Sequence, residues 1–191
     1  MMSDYKEDID KALDVLRRGG IILYPTDTIW GIGCDATNSE AVAAIYRLKK
    51  RNETKSMLVL VDSEKMLTRY CESVPEVALQ LSELSERPCT LVLDGAVNLA
   101  PNLVAADGSI GMRVTRDDFS RDLCRAFGRP IVSTSANISG EPSPSLFREI
   151  SPEVADNVDY IAEWRRGDTT PARPSSVIKI SSDGQFKILR G

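Results

Sequence analysis

The residues best suited to chemistry fall into five groups. The first spans Tyr24 to Ala36, where an apolar run stops at Pro25 and gives way to Thr26-Asp27-Thr28 and then Gly31-Ile32-Gly33. Proline ends regular pairing, and short hydroxyls on permissive backbone can wrap a small polar ligand. The plainer alternative is a strand, a turn and another strand. The second group is Lys49-Lys50-Arg51 with Lys55-Ser56. It is either a solvated cap at a helix C-terminus, where cations are favoured, or a clamp for a polyphosphate.

The third group is Gly111-Met112-Arg113-Val114. An arginine in an otherwise apolar strand pattern must be paired or functional, because burying an uncompensated charge is too costly. A structural salt bridge is one reading, and a receptor for carboxylate or phosphate is the other. The fourth is Ser133-Thr134-Ser135-Ala136-Asn137-Ile138-Ser139-Gly140, followed by Pro142-Ser143-Pro144-Ser145. Such a stretch can be a serine-rich turn. It also follows an apolar strand, and the carboxyl ends of strands are where α/β sheets bind ligands. The fifth is Pro174-Ser175-Ser176-Val177, a hydroxyl pair ahead of a strand.

Helices and strands must bring these groups together. Ile9, Ala12, Leu13 and Leu16 recur at helical spacing, and Gly19-Gly20 ends that helix. Ile21 to Tyr24 is predicted as a buried strand. Ser39 is expected to cap a helix reaching about Lys50, with Val42, Ile45, Tyr46 and Lys49 along it. Met57 to Val61 predicts a strand, and Asp62-Ser63 a cap for a short helix through Met66, Leu67 and Tyr70. Pro75 opens a helix with Ala78, Leu81 and Leu84 on one face. Strands follow at Thr90 to Leu93 and Gly111 to Val114, and Asp117 or Asp118 starts a helix holding Leu123 and Phe127. Ile131 to Thr134 is a strand, Ser151-Pro152 begins a short helix, and Ser176 to Ile180 with Phe186 to Leu189 forms a hairpin around Asp183-Gly184. This alternation predicts a layered α/β fold in one domain over residues 1–191. Arg165 to Pro174 is the least regular stretch, a surface loop or a lid.

Composition narrows the chemistry. The chain has 191 residues, 42% hydrophobic and 27% charged, with a net charge of -4. A basic field over the whole surface, as nucleic-acid binding would favour, is absent. No apolar run approaches a membrane span, and the acidic start is unlike a signal peptide, so a cytoplasmic location is expected. Cys34, Cys71, Cys89 and Cys124 form no Cys-x-x-Cys pair and read as reduced core thiols. With no histidine anywhere, Ser-His-Asp and Cys-His nucleophiles and histidine metal sites are excluded. Neither a Gly-x-x-x-x-Gly-Lys-Ser/Thr loop nor a Gly-x-Gly-x-x-Gly fingerprint is present.

Taken in order, the groups resemble the YrdC-type threonylcarbamoyl-AMP synthases, in their short form. Tyr24-Pro25-Thr26-Asp27-Thr28 with Gly31-Ile32-Gly33 is similar to the family's opening motif, and Lys49 and Arg51 to its Lys-x-Arg pair. Thr90-Leu91 resembles the end of its Pro-Leu-Thr strand, and Arg113 its strand arginine. Ser135-Ala136-Asn137 with Ser139-Gly140 is similar to its Ser-Ala-Asn-x-Ser-Gly motif, and Ser175-Ser176 and Ile188-Leu189-Arg190 to its closing segments. The resemblance runs from about residue 8 to residue 190.

What the resemblance implies is one α/β domain with a twisted, mostly mixed open sheet, flanking helices and a concave ligand cavity. The implied reaction joins L-threonine, bicarbonate and ATP into threonylcarbamoyl-adenylate and pyrophosphate. The product would serve threonylcarbamoyladenosine modification of tRNA beside the anticodon, through a partner transferase complex. Lys49, Arg51 and Arg113 would be the catalytic groups. Thr28, Arg113 and Ser135 would contact threonine, while Lys49, Arg51, Lys55, Thr90, Asn137, Ser145 and Ser175 would line the nucleotide side. Mg2+ would bridge the phosphates without a protein carboxylate cage. Two segments depart from the family pattern: Lys49-Lys50-Arg51-Asn52 leading to Lys55-Ser56-Met57, and Glu86-Arg87-Pro88-Cys89-Thr90. They motivate an alternative, a non-catalytic paralogue of the fold that binds RNA or nucleotide. A carbamoyl-transfer module of hydrogenase maturation is a further reading, set aside because the chain has no cysteine pairs for zinc fingers.

Overall fold

The computed structural model describes residues 5–52 and 57–191. The chain opens with α1 (Lys6–Arg17), which turns through Gly19 into β1 (Ile22–Tyr24). After Pro25 it returns as β2 (Gly31–Gly33), antiparallel to β1, with Tyr24 opposite Gly31. The segment is strand, turn and strand, and both Thr26 and Thr28 of the turn are buried. Gly33 is required by packing, since a Cβ there would sit 2.6 Å from both the Tyr24 ring and the Val132 carbonyl oxygen.

Next come α2 (Ser39–Leu48), β3 (Leu58–Val61), α3 (Glu64–Leu67) and α4 (Glu76–Leu84). Asn38, not Ser39, caps α2, its side chain accepting from the Glu40 and Ala41 amides. Asparagine one position earlier competes equally well for that role, so spacing alone misplaced the cap. Ser63 caps α3 by accepting from the Met66 amide, and that helix stops at Leu67, short of the predicted Tyr70. On α4, Ala78 is buried as expected, but Leu84 is 76% exposed. It is the last residue of its helix.

The remaining elements are β4 (Cys89–Leu93), β5 (Ile110–Val114), α5 (Asp118–Phe127), β6 (Ile131–Ser135), α6 (Pro152–Ala155), β7 (Tyr160–Ile161), β8 (Ser176–Ile180) and β9 (Phe186–Arg190). Asp117 caps α5 by accepting from the Ser120 amide, and Gly128 ends it in the left-handed conformation. The strands form one sheet in the order β7-β1-β2-β6-β3-β5-β4-β8-β9. Pairs β1–β7, β3–β5 and β4–β8 are parallel and the others antiparallel, so the sheet is mixed. Sequence alone did not reveal β7, because a two-residue strand carries no periodicity.

Side chains alternate between the two faces of each strand. Leu91, Met112 and Leu93 point into the buried core. Thr90, Val92, Gly111 and Arg113 point to the other face, where a cavity opens. The four cysteines are free and buried.

Candidate active site

A cavity of about 290 Å3 lies on that face of the sheet, lined by strands β2, β3, β4, β5, β6 and β8 and by the loops between them. The topology explains why distant groups meet. β2 pairs with β6, which places Gly31 opposite Ser135, and β3 pairs with β6 and β5, which places Leu58 beside Ser133 and Gly111.

Arg113 is the centre of the site. It is 3% exposed, and its guanidinium meets three partners. Nε lies 3.0 Å from Asp27 Oδ1 as an ion pair. Nη2 donates to Thr28 Oγ1 at 3.1 Å and Nη1 to Thr90 Oγ1 at 3.3 Å. The ion-pair contact is not well aligned as a hydrogen bond, for neither Asp27 Oδ1 nor Arg113 Nε has a hydrogen-bond partner among the described residues. Burial raises the Asp27 carboxyl above its usual value, and the adjacent Arg113 charge opposes but does not cancel that rise. A guanidinium has five N–H groups, so one hydrogen remains on each terminal nitrogen among the described contacts. That edge suits a planar carboxylate.

Hydroxyls extend the network on both sides. Thr26 Oγ1 and Thr28 Oγ1 lie 3.0 Å apart, and the Thr28 amide donates to Thr26 Oγ1 at 3.0 Å. On the other side Thr90 Oγ1 and Ser175 Oγ are 2.8 Å apart. Arg190 donates from Nε to the Ser175 carbonyl at 2.9 Å. Trp30 lines the cavity and packs on Phe147 at 4.8 Å between ring centroids, with the Arg166 guanidinium 5.4 Å from the Phe147 centroid. Arg165 holds the Thr26 loop from outside, donating to the Thr26 carbonyl at 2.9 Å and to Asp117 Oδ1 at 3.0 Å. The stretch 165–174 is thus irregular but anchored at its start.

Of the residues singled out from the sequence, Thr28, Arg51, Thr90, Arg113, Ser135 and Ser175 line the cavity. Lys49 does not. It is 1% exposed, and its ammonium donates to the carbonyls of Ser135 at 2.5 Å and Asn137 at 2.6 Å. Burial, with the Arg51 charge adding to it, pushes the Lys49 ammonium down to about 8. Lys49 therefore shapes the 135–140 loop from behind, aided by the Ser139 amide donating to the Lys49 carbonyl at 2.9 Å. Asn137 is buried on that loop, its Nδ2 donating to the Ile138 and Glu141 carbonyls, while its Oδ1 has no partner among the described residues. Ser145 lies outside the lining, where its carbonyl accepts from the Ala172 amide at 3.1 Å. Ser143 lines the cavity instead. Lys55 and Ser56 lie outside the described residues.

Asp27, Trp30, Leu58, Ser143 and Arg190 belong to the site without having been assigned to it from sequence. Asp27 and Trp30 stood inside the first motif and Arg190 in the closing segment, so a signal existed for those. Ser143 stood in the fourth group beside Ser145, which was chosen in its place, and Leu58 had no signal because apolar strand residues are common everywhere.

Residues 14–191 match the model of the Sua5_yciO_yrdC family, described as "Telomere recombination". A protein of Bos taurus named threonylcarbamoyl-AMP synthase is 34% identical over 191 residues, covering 97% of this chain and 68% of its own length. One of the same name from Pseudoalteromonas translucida (strain TAC 125) is 32% identical over 194 residues and covers all of both chains. A crystal structure of P. abyssi Sua5 complexed with L-threonine superposes with a TM-score of 0.84 at 25% identity, over 95% of this chain. This chain spans 53% of that Sua5, about half its length.

Proposed function

The chain belongs to the Sua5/YciO/YrdC family, and on that premise we propose that it is a threonylcarbamoyl-AMP synthase, a nucleotidyltransferase acting on L-threonine, bicarbonate and ATP. The observation that carries this reading is the Arg113 fork, which turns a carboxylate-binding edge into a cavity also lined by the cations Arg51 and Arg190. One end suits the carboxylate of an amino acid and the other the phosphates of a nucleotide.

In this reading the threonine carboxylate binds Arg113, with Thr28 and Ser135 beside it. The threonine amine takes up bicarbonate with loss of water, giving a carbamate. A carbamate oxygen forms a bond to the ATP α-phosphorus as the bond from that phosphorus to the bridging oxygen of pyrophosphate breaks. The nucleophile belongs to the substrate, so the protein acts by positioning and by stabilising charge, and the lack of histidine is no obstacle. Arg51, with Lys55 nearby in sequence, would hold the phosphates. Thr90 and Ser175, joined by their hydroxyls, would meet the nucleotide side, with Asn137 and Ser145 on the loops around it. Lys49 would keep the 135–140 loop in shape while its charge adds to the field.

Magnesium fits this cavity as an ion carried by the triphosphate. Among the described residues no Asp or Glu lines the cavity and there is no group of three or more metal-ligating side chains. Hydroxyls and phosphate oxygens suit an ion that keeps most of its waters, which supplies charge neutralisation when bound. The product would pass to a threonylcarbamoyl transferase complex that modifies tRNA. Among the described residues no helix is long and apolar enough to cross a membrane, and the cytoplasm is the expected workplace.

One observation favours a second reading, a paralogue of the fold that binds nucleotide or RNA without turnover: the Lys49 ammonium is held by two carbonyls and not turned to the cavity. Pyrophosphate release from Mg-ATP separates the two. Release that requires both bicarbonate and L-threonine, and is much weaker with L-serine, supports the synthase. Absent release with retained nucleotide binding by calorimetry supports the paralogue.

A further inference from the structure

Gly111 stands in the middle of β5, paired with Leu58 on one side and Val92 on the other. A glycine there weakens a strand, since it has no side chain to pack and loses more entropy on ordering. Its backbone does not demand glycine, for its φ is not among the positive values of the chain. Packing does not demand it strongly either. A Cβ at Gly111 would lie 3.2 Å from Leu58 Cβ and 3.4 Å from Thr90 Cγ2, tight but far from the 2.6 Å contacts that make Gly33 obligatory. Yet Gly111 is on the cavity floor, on the same face as Arg113 and roughly 7 Å from it along the strand.

Thr90 joins the two positions. Its methyl is the near neighbour of the missing Cβ, and its hydroxyl accepts from Arg113 Nη1 at 3.3 Å. Gly111 and Arg113 thus share the cavity-facing side of β5, with the apolar Leu58 and Val92 paired on either side of Gly111. We infer that Gly111 is a specificity-determining residue: its bare floor is the space for the β-carbon and methyl group of the amino-acid substrate. The inference rests on the reading of this cavity as an amino-acid site and adds which residue sets its depth.

The test is calorimetric, on wild type and Gly111→Ala, with L-threonine, L-serine and α,β-methylene-ATP as separate ligands. One extra methyl in a fitted apolar pocket is worth about tenfold or more. Threonine affinity should fall by about that factor in Gly111→Ala, serine affinity by less, and α,β-methylene-ATP affinity by less than about twofold, with melting temperature kept or raised. Equal threonine binding in both proteins, or a parallel loss of threonine and nucleotide, overturns the inference. If wild type fails to bind threonine, the amino-acid reading fails and the inference with it. Leu58→Phe fills the same floor from the neighbouring strand, so it decides the matter if Gly111→Ala does not fold: it must show the same selective loss of threonine, and retained binding overturns the inference.

Discussion

Arg113 Nε lies 3.0 Å from Asp27 Oδ1, and the two side chains are 3% and 8% exposed. The pair joins the turn after β1 to the middle of the sheet, and it settles which edge of the guanidinium is left for a ligand. Burial outweighs the arginine in setting the Asp27 carboxyl, which titrates above its ordinary value. A carboxylate held at a cost beside a cavity-lining arginine is the kind of local conflict expected at a site and not in a core.

The stability consequence has a definite sign. A carboxyl raised in the folded state contributes stability that is fully present below its unfolded pKa of about 3.9 and is lost as pH rises through the folded value. Wild-type stability relative to Asp27→Asn should therefore fall as pH rises from 4 towards 7, on top of the cost to the variant of leaving buried Arg113 without its carboxylate. Urea unfolding at several pH values checks this. A variant clearly weaker than wild type at pH 7 but equal at pH 4 would reverse the sign and contradict the account. The same variant should bind threonine several-fold more weakly, because the carboxylate charge that holds Nε is then lost.

Arg113→Ala should lower pyrophosphate release about a hundredfold, the cost of losing one preorganised charge-stabilising group, about 3 kcal/mol. Arg113→Lys should also fall well below wild type, because an ammonium cannot reproduce the fork. Near-normal rates in both would remove Arg113 from the reacting site.

Lys49 titrates in a different direction. With its ammonium pushed down to about 8, the folded state binds fewer protons than the unfolded one between that value and the ordinary 10.5. Wild-type stability should rise relative to Lys49→Met as pH goes from 8 to 10. The two carbonyls it serves oppose the shift, so a rise smaller than linkage from the full shift is expected, and a fall would count against burial as its cause. Lys49→Ala leaves those carbonyls without their donor, costing about 1–3 kcal/mol each, and should cut turnover strongly through the 135–140 loop.

Thr90→Val keeps the shape of Thr90 but removes the hydroxyl shared by Arg113 and Ser175. Losing these two hydrogen bonds, about 0.5–1.5 kcal/mol each, should raise KM about fivefold or more, with kcat changed less. A fall in kcat alone would place Thr90 at the reacting atoms instead.

Removing Mg2+ with a chelator should abolish turnover and leave the melting temperature unchanged, since the ion arrives with the nucleotide. A chelator-induced drop in melting temperature without nucleotide would point to a resident ion.

Residues and spacing were enough for most of the elements and for many of the residues that line the cavity. An apolar run stopped by Pro25, a serine-rich stretch after Ile131–Thr134 and an arginine within Gly111–Val114 are local signals, legible because backbone preference and burial act over a few residues. What the sequence left open were the partners of each group. Arg113 was readable as a salt bridge or as a ligand receptor; it is ion-paired to Asp27 through Nε, and the same side chain is among the cavity-lining residues. Lys49 and Arg51 are two residues apart and looked equivalent. The turn after α2 sends one inward to the Ser135 and Asn137 carbonyls and the other to the cavity lining. Ser143 and Ser145 were chemically alike, and only the path of the loop put Ser143 on the cavity. Strand order was beyond local reading as well: β6 stands between β2 and β3, a pairing across roughly a hundred residues that depends on which apolar faces bury together. Composition and spacing determine which chemistry this chain can do. The sheet order and the burial of a few charges decide which side chains do it, because long-range pairing and desolvation are properties of the packed molecule and not of any segment.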